Sequence, residues 1–345
     1  MNAPTDRKTP PTTGTGQSGC HHGEILQGAF LDDRGAACRA LVTMPLAGPR
    51  SSAVFVPDPD TAPDSVVISP NDRSKARRAA VLTCELCGST TSRTPCGGQL
   101  LLSSEVPDGL GMGSSSADVL ATIRAVVDAY AADLPAEIVS RIAVSAERAS
   151  DPLMFDDRAL LFAQREGRVL EDLGERLPPA VVVGCLTEGA TGVDTLELGN
   201  HHIRDQDLRV GERLRALLRE AVARSDVALL GQVGTESARY NQRILDKTQL
   251  DSLVEIADRV GAVGLQIAHS GNVAGLLFDP SRPGTGDRIR TCLFELARND
   301  IPSTRVFSTR PRLRNGIGDH GRAHRGRGRA PRSDPAGQGT RMPSI

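Results

Sequence analysis

Residues 100–117 read LLLSSEVPDGLGMGSSSA, and this stretch decides the fold. Its apolar start is typical of a strand, and Gly109, Gly111 and Gly113 then follow within five positions. Beyond the last serine, apolar residues recur with the period of an amphipathic helix, at 119, 120, 123, 126, 127 and 130. The order strand, glycine turn, helix predicts a loop that binds an anion with the free N–H groups of the first helical turn.

A nucleotide phosphate is the anion that this loop predicts, because serine hydroxyls follow the glycines. Such hydroxyls donate hydrogen bonds to phosphate or coordinate Mg²⁺, which prefers hard oxygen ligands. The expected phosphate-binding residues are Pro107, Gly109, Gly111, Met112, Gly113, Ser114, Ser115 and Ser116.

Two better-known glycine loops do not fit the sequence. A Walker-type loop requires a lysine after its last glycine, and the only lysines of the chain are Lys8, Lys75 and Lys247. A dinucleotide-binding loop requires a third glycine where Ser114 stands. It also requires an acidic residue at the end of a second strand about 20 positions later, where the predicted helix continues.

At these residues the chain resembles the GHMP kinases, whose second motif runs Pro-x-x-x-Gly-Leu-Gly-Ser-Ser-Ala. Two further segments carry the resemblance, CHHGEILQG at 20–28 and AHSGNVAGLL at 268–277. The first is similar to the N-terminal motif of the branch that contains the L-threonine kinases of cobalamin biosynthesis, and the second to that branch's form of the third motif. The three motifs occur in the family's order between about residues 19 and 300.

The resemblance implies an α+β fold with the two-domain architecture of these kinases. The Pro-, Thr- and Gly-rich composition of residues 1–18 predicts a disordered arm. An ATP-binding domain like domain 2 of ribosomal protein S5 would occupy 19–180. A ferredoxin-like domain would occupy 181–303, and a disordered basic tail 304–345. The implied activity is a magnesium- and ATP-dependent transfer of a phosphoryl group to the hydroxyl of a small molecule, L-threonine or a related hydroxy amino acid. Homoserine or isoprenoid-intermediate kinases of the same family remain alternatives.

Several site residues follow from the resemblance. Ser115 matches the serine that binds magnesium, although a serine at this position also fits a helix N-cap. Glu147 is a candidate second ligand of the metal or of the substrate, with a solvated surface position as the alternative. Asp151 would hold or deprotonate the acceptor hydroxyl, although Asp before Pro is also common turn chemistry. Glu24 and Gln27 are expected to contact the substrate, and Ser270 and Gly271 are expected to contact the nucleotide. His21, His22 and His269 are expected to be structural groups.

The loop also departs from the threonine-kinase pattern. Leu110 stands where that branch has a lysine, Gly113 replaces an alanine, and His22 replaces a cysteine in the first motif. Loss of the lysine removes a positive charge near the phosphates, so another cation must substitute, or magnesium and backbone alone hold the nucleotide. A non-catalytic nucleotide-binding or regulatory protein is the alternative from a different functional class.

Composition excludes other classes of function. The formal net charge is −1 over 345 residues, which does not favour nucleic acid or a membrane surface as a partner. No apolar run reaches the roughly 20 residues of a membrane span, and the N-terminus lacks the apolar region of a signal peptide, so we expect a cytoplasmic protein. The sequence is compatible with a homodimer. From about Thr304 arginine, glycine and proline dominate, which predicts a solvated tail, a basic interaction arm or an ending translated out of frame.

Overall fold

The computed structural model describes residues 8–155, 158–187, 203–243, 247–269 and 271–309. Within these ranges lie ten strands: β1 Gly14–Leu31, β2 Ala37–Asp58, β3 Val66–Ser69, β4 Gly97–Ser104, β5 Ala159–Ala163, β6 Arg168–Gly174, β7 Val181–Leu186, β8 Gly264–Ile267, β9 Val273–Phe278 and β10 Ser303–Ser308. The same ranges contain seven helices: α1 Ser74–Thr90, α2 Ser114–Ala129, α3 Ala136–Glu147, α4 Asp205–Arg224, α5 Val227–Asn241, α6 Leu250–Val260 and α7 Thr285–Arg298. A short 3₁₀ turn spans Leu153–Phe155.

One continuous sheet contains all of these strands, in the order β10-β7-β9-β8-β1-β2-β4-β3, with the hairpin of β5 and β6 attached to β2. Neighbouring strands run antiparallel except β3 and β4, which are parallel. Because β1 pairs with both β2 and β8, the first motif of the sequence lies in the middle of the sheet.

Helix α2 packs against the first half of β1 at very short range. A Cβ atom added to Gly14 or Gly16 would collide with the backbone of α2 at Ala125, so only glycine lets the helix approach this closely. Helices α1 and α3 pack beside α2, while α4 and α5 cover a separate core formed by β1, β2 and β7. Helices α6 and α7 cover β8 and β9.

The central prediction of the sequence is confirmed, because β4, a glycine turn and α2 follow one another over residues 97–129. The α+β class is confirmed as well. The predicted division near residue 180 stays a prediction, since strands from both sides of it share one sheet within a single compact unit. Of the helices in the described ranges, none combines the length and apolar character needed to cross a membrane.

Two predicted boundaries are wrong. Residues 14–18 belong to β1 rather than to a disordered arm, and they lack an apolar signature because the buried positions there are Gly14, Gly16 and Ser18. Residues 304–308 belong to β10, which pairs with β7 at the edge of the sheet. An edge strand held by backbone hydrogen bonds needs few buried side chains, and here only Phe307 is half-buried by apolar neighbours. Residues 1–7 and 310–345 lie outside the described residues.

Candidate active site

The glycine turn has the backbone that the sequence predicts. The φ angles of Gly109, Gly111 and Gly113 are 74°, 81° and 72°, a left-handed region that favours glycine. Helix α2 begins at Ser114 with Gly113 as its N-cap, and this glycine has no side chain with which to cap the first turn. The N–H groups at the start of α2 therefore remain available to a ligand, and Ser115 is not the N-cap.

The third motif packs directly against this loop. The backbone N–H groups of Asn272 and Val273 donate to the carbonyl of Leu110 at 3.0 and 2.9 Å. A Cβ atom on Gly271 would collide with the backbone of Leu110 and Gly111, so glycine is required for this contact. Gly271 thus lies at the phosphate loop as expected, while Ser270 lies outside the described residues.

A cavity of about 220 Å³ opens beside the start of α2. Its wall includes Ser114 and Ser115 from the loop and two cations, Arg73 and Lys75, from the start of α1. Arg73 forms a two-pronged ion pair with Asp108 of the loop, at 2.9 and 2.7 Å. The same wall contains Asp72, Asp108 and Asp118, so Arg73 and Lys75 balance part of its negative charge, although the loop itself has Leu110 in place of a lysine.

Ser115 and Glu147 meet as the magnesium prediction requires. The hydroxyl of Ser115 donates to Glu147 Oε2 at 2.6 Å, and that of Ser116 donates to Oε1 at 2.9 Å. Glu147 is buried, so its predicted alternative as a solvated surface residue is wrong. Burial raises the pKa of Glu147 to about 7, against the lowering effect of the serine hydroxyls.

These oxygen donors fit Mg²⁺. Among the described residues no cationic side chain pairs with Glu147, and the nearby charge that acts on it is the negative charge of Asp151. A buried carboxylate without a cationic partner is unfavourable, and a divalent cation held by Ser115 and Glu147 would compensate its charge.

Asp151 lies near Glu147, with the Ser116 hydroxyl in contact with both, and its carboxylate contacts His21. The His21 Nε2 atom is 3.0 Å from Asp151 Oδ2, and the Asp151 backbone N–H donates to Ser116 Oγ at 3.1 Å. A Cβ atom on Gly113 would lie 2.6 Å from His21 Nε2, so the glycine leaves room for this pair. The loop, the first motif and Asp151 therefore converge at one point.

The charges of the pair stabilise each other. Burial acts to lower the pKa of His21, but the adjacent Asp151 carboxylate outweighs it and raises that pKa to about 9. Burial acts to raise the pKa of Asp151, but the His21 charge and hydrogen bond hold it below its usual value. At neutral pH the pair is thus an imidazolium and a carboxylate. One donor atom each of His21, Glu24 and Asp151 lies within 4.8 Å of the others, so this cluster also has the composition of a metal site.

Glu24 and Gln27 contact the third motif. The backbone N–H of His269 donates to Glu24 Oε2, and His269 Nδ1 is 2.7 Å from Gln27 Oε1. Burial raises the pKa of Glu24 to about 7, while the His21 charge opposes this shift. Both side chains therefore position the third motif in the structure, and their contact with a substrate stays a prediction.

The role of His21 escaped the sequence analysis, which treated it as a structural histidine. His21 and Asp151 are 130 residues apart, and no local pattern links them. Arg73 was also missed, because it lies in a loop before α1 and outside every motif. The position of Lys75 beside Ser114 was not predicted either, because no spacing in the sequence brings these two residues together.

Comparisons with known proteins show which proteins this chain is similar to. Residues 74–158 match the family model described as the GHMP kinases N terminal domain. The chain is 28% identical over 185 residues to an L-threonine kinase of Citrobacter freundii, and 27% identical over 185 residues to that of Salmonella typhimurium. Each alignment covers 52% of this chain, and the two cover 62% and 59% of the relatives, so the chain spans about three fifths of their length.

The fold is similar to that of homoserine kinase from Cytophaga hutchinsonii, with a TM-score of 0.61 at 14% identity. That alignment covers 89% of this chain and 96% of the homoserine kinase. At this identity the likeness concerns the fold alone. The resemblance to the GHMP kinases that the motifs indicate is confirmed.

Proposed function

From the match of residues 74–158 to the N-terminal domain of the GHMP kinases, we propose that this protein is an ATP-dependent kinase of a small-molecule hydroxyl. The acceptor is L-threonine or a related hydroxy amino acid. The observation that carries the proposal is the convergence of Ser115, Glu147, Asp151 and His21 around the start of α2. The similarity to two L-threonine kinases supports this acceptor class.

The loop and its cations bind the nucleotide in this proposal. The free N–H groups of α2 and the side chains of Arg73 and Lys75 hold the phosphates, and Ser115 and Glu147 hold the magnesium ion. When bound, Mg²⁺ neutralises charge that develops on the transferred phosphoryl group. Gly271 and Leu110 close the back of the loop and keep its N–H groups directed at the ligand.

Asp151 acts on the acceptor hydroxyl. Because His21 holds the pKa of Asp151 below its usual value, Asp151 is ionised at neutral pH and is a weak base. Its carboxylate accepts a hydrogen bond from the hydroxyl and aligns the oxygen with the γ-phosphorus. A P–O bond then forms to that oxygen, the bond to the ADP oxygen breaks, and the proton passes to Asp151 late in the reaction.

Release of ADP across a panel of acceptors tests the proposal. We expect L-threonine, or another hydroxy amino acid such as L-serine or L-homoserine, to stimulate ADP release at least tenfold over the rate without acceptor. Mevalonate in the same panel tests the alternative of an isoprenoid-type kinase. ATP binding without stimulation by any acceptor would contradict the proposal and would favour a non-catalytic nucleotide-binding protein.

A further inference from the structure

Arg39 lies on the face of β2 that turns toward the candidate active site. Ala40, Val42 and Met44 point into the core under α4 and α5, so Arg39 and Thr43 point the other way. Thr43 lines a small cavity together with His21 and Leu153. The sequence motifs assign no role to Arg39.

Pairing between β1 and β2 places Arg39 near the third motif. Arg39 is opposite Ala29 and Leu41 is opposite Gln27, so Arg39 and Gln27 are diagonal neighbours on one face of the sheet. Gln27 contacts the His269 imidazole.

The guanidinium of Arg39 has no ion-pair or hydrogen-bond partner among the described residues. Within the described part of the chain, the carboxylate whose charge acts on it is that of Asp207, which already pairs with Arg204 and Arg243. Arg39 is only partly exposed, and burial together with the positive charge of Arg165 lowers its pKa. A half-buried cation without a counter-ion is unfavourable unless an anion binds there.

Other cations surround the same point. The pKa of His269 is lowered to about 4, first by burial and then by the positive charges of Arg39, Arg165 and Lys247. The negative charge of Asp151 acts to raise it. The charges of Arg39 and Asp151 therefore both act on His269. The nearby Lys247 is buried, and its ammonium group donates to the carbonyl of Gly271.

We infer that Arg39 binds the carboxylate of the phosphate acceptor, in a site completed by Gln27 and His269. The acceptor is then a hydroxy acid whose hydroxyl lies at Asp151 and whose carboxylate lies at Arg39. The planar guanidinium matches a carboxylate in two-pronged geometry. Phosphates of the nucleotide belong to the separate cavity at Ser114 and Arg73. This inference rests on the proposed function and specifies its substrate class.

Calorimetric binding to the full chain tests the inference without turnover. Three hydroxy amino acids, L-threonine, L-serine and L-homoserine, are each compared with the amino alcohol in which a hydroxymethyl group replaces the carboxylate. Titrations are run with and without a non-hydrolysable magnesium nucleotide. We expect at least one acid to bind the wild type ten or more times more tightly than its alcohol. Arg39→Gln should remove this preference, and Arg39→Lys should retain part of it.

Arg158→Gln is the matched control, because Arg158 lines the small cavity but pairs with Asp172. It should keep the preference for the acid. The inference would be overturned if no acid binds, or if each acid binds no more tightly than its alcohol. It would also be overturned if Arg158→Gln loses the preference while Arg39→Gln keeps it. Nucleotide affinity and melting temperature of Arg39→Gln check that the variant is folded. If the acids bind through Arg39 but stimulate no ADP release, the proposed function fails while the carboxylate site stands.

Discussion

The imidazole of His21 and the carboxylate of Asp151 form a 3.0 Å hydrogen bond between the first motif and the segment after α3. His21 is buried, and its Nδ1 atom has no hydrogen-bond partner among the described residues. The charge of Asp151 is therefore the main interaction that keeps His21 protonated, and His21 in turn keeps Asp151 ionised. This relationship makes the site sensitive to pH in a defined direction.

Turnover should fall as pH rises through about 9, where His21 loses its proton. In His21→Gln the side chain still donates a hydrogen bond but carries no charge, so we expect turnover about tenfold lower and without this decline. The measurement is kcat between pH 6 and pH 10 at saturating MgATP and acceptor. His22→Gln is the control: burial lowers the pKa of His22 to about 4, so its removal should leave the decline in place.

The same pair affects stability. The folded pKa of His21, about 9, lies above its unfolded value of 6.5, so the pair contributes fully below about pH 6.5 and is lost as pH rises through 9. The difference in unfolding free energy between wild type and His21→Gln should shrink over that interval in urea titrations. A difference that grows with pH would contradict the assigned ion pair.

Asp151→Asn should lower kcat while leaving nucleotide affinity unchanged, because the hydrogen bond from the Asp151 backbone N–H to the Ser116 hydroxyl of the loop is kept in this variant. A loss of about 100-fold or more is expected if the carboxylate takes the proton in the transition state. Because His21 makes Asp151 a weak base, a smaller loss indicates that it mainly orients the hydroxyl. If Asp151→Asn keeps wild-type turnover and acceptor affinity, the role assigned to Asp151 belongs to Asp156, to Asp157 or to no carboxylate. Asp156 and Asp157 lie outside the described residues.

Ser115→Ala and Glu147→Gln should both raise the magnesium concentration needed for half-maximal turnover. Each removes one oxygen ligand, so excess magnesium should restore part of the activity. Ser114→Ala is a suitable comparison, since Ser114 lines the phosphate cavity without contacting Glu147 in the described hydrogen bonds. An unchanged magnesium requirement in both variants would remove Ser115 and Glu147 from the metal site.

The sequence predicted the phosphate loop because each of its features is local. Strand, glycines, serines and helix all fall within residues 97–129, and the positive φ angles at Gly109, Gly111 and Gly113 are the ones that glycine favours. The metal role of Glu147 stays a prediction, and the structure shows its carboxylate in contact with the hydroxyls of Ser115 and Ser116. Its burial was not predicted, since nothing in its helix indicates that Ser115 and Ser116 cover it.

Strand β1 escaped prediction for a physical reason. Its middle contains His21, His22, Glu24 and Gln27, all buried polar residues whose partners lie far along the chain. Apolar alternation therefore fails at the segment where the site is built. The same holds for the Arg39 site, which depends on strand register and on the third motif more than 200 residues later.

A truncation after Thr304 should destabilise the protein, whereas one after Thr309 should not. Strand β10 pairs with β7, and Thr309 exchanges hydrogen bonds with Ala180. The ring centroids of Phe307 and His22 are 4.9 Å apart. Loss of a half-buried Phe and an edge strand costs about 2 kcal/mol, or a few degrees in melting temperature. Thermal unfolding of the two truncated chains beside the full chain measures this. Phe307→Ala in the chain that ends at Thr309 measures the contribution of the side chain apart from that of the strand. We expect this variant to lose about half of the stability that truncation after Thr304 removes. Equal melting temperatures for all three chain lengths would mean that β10 adds nothing to the sheet.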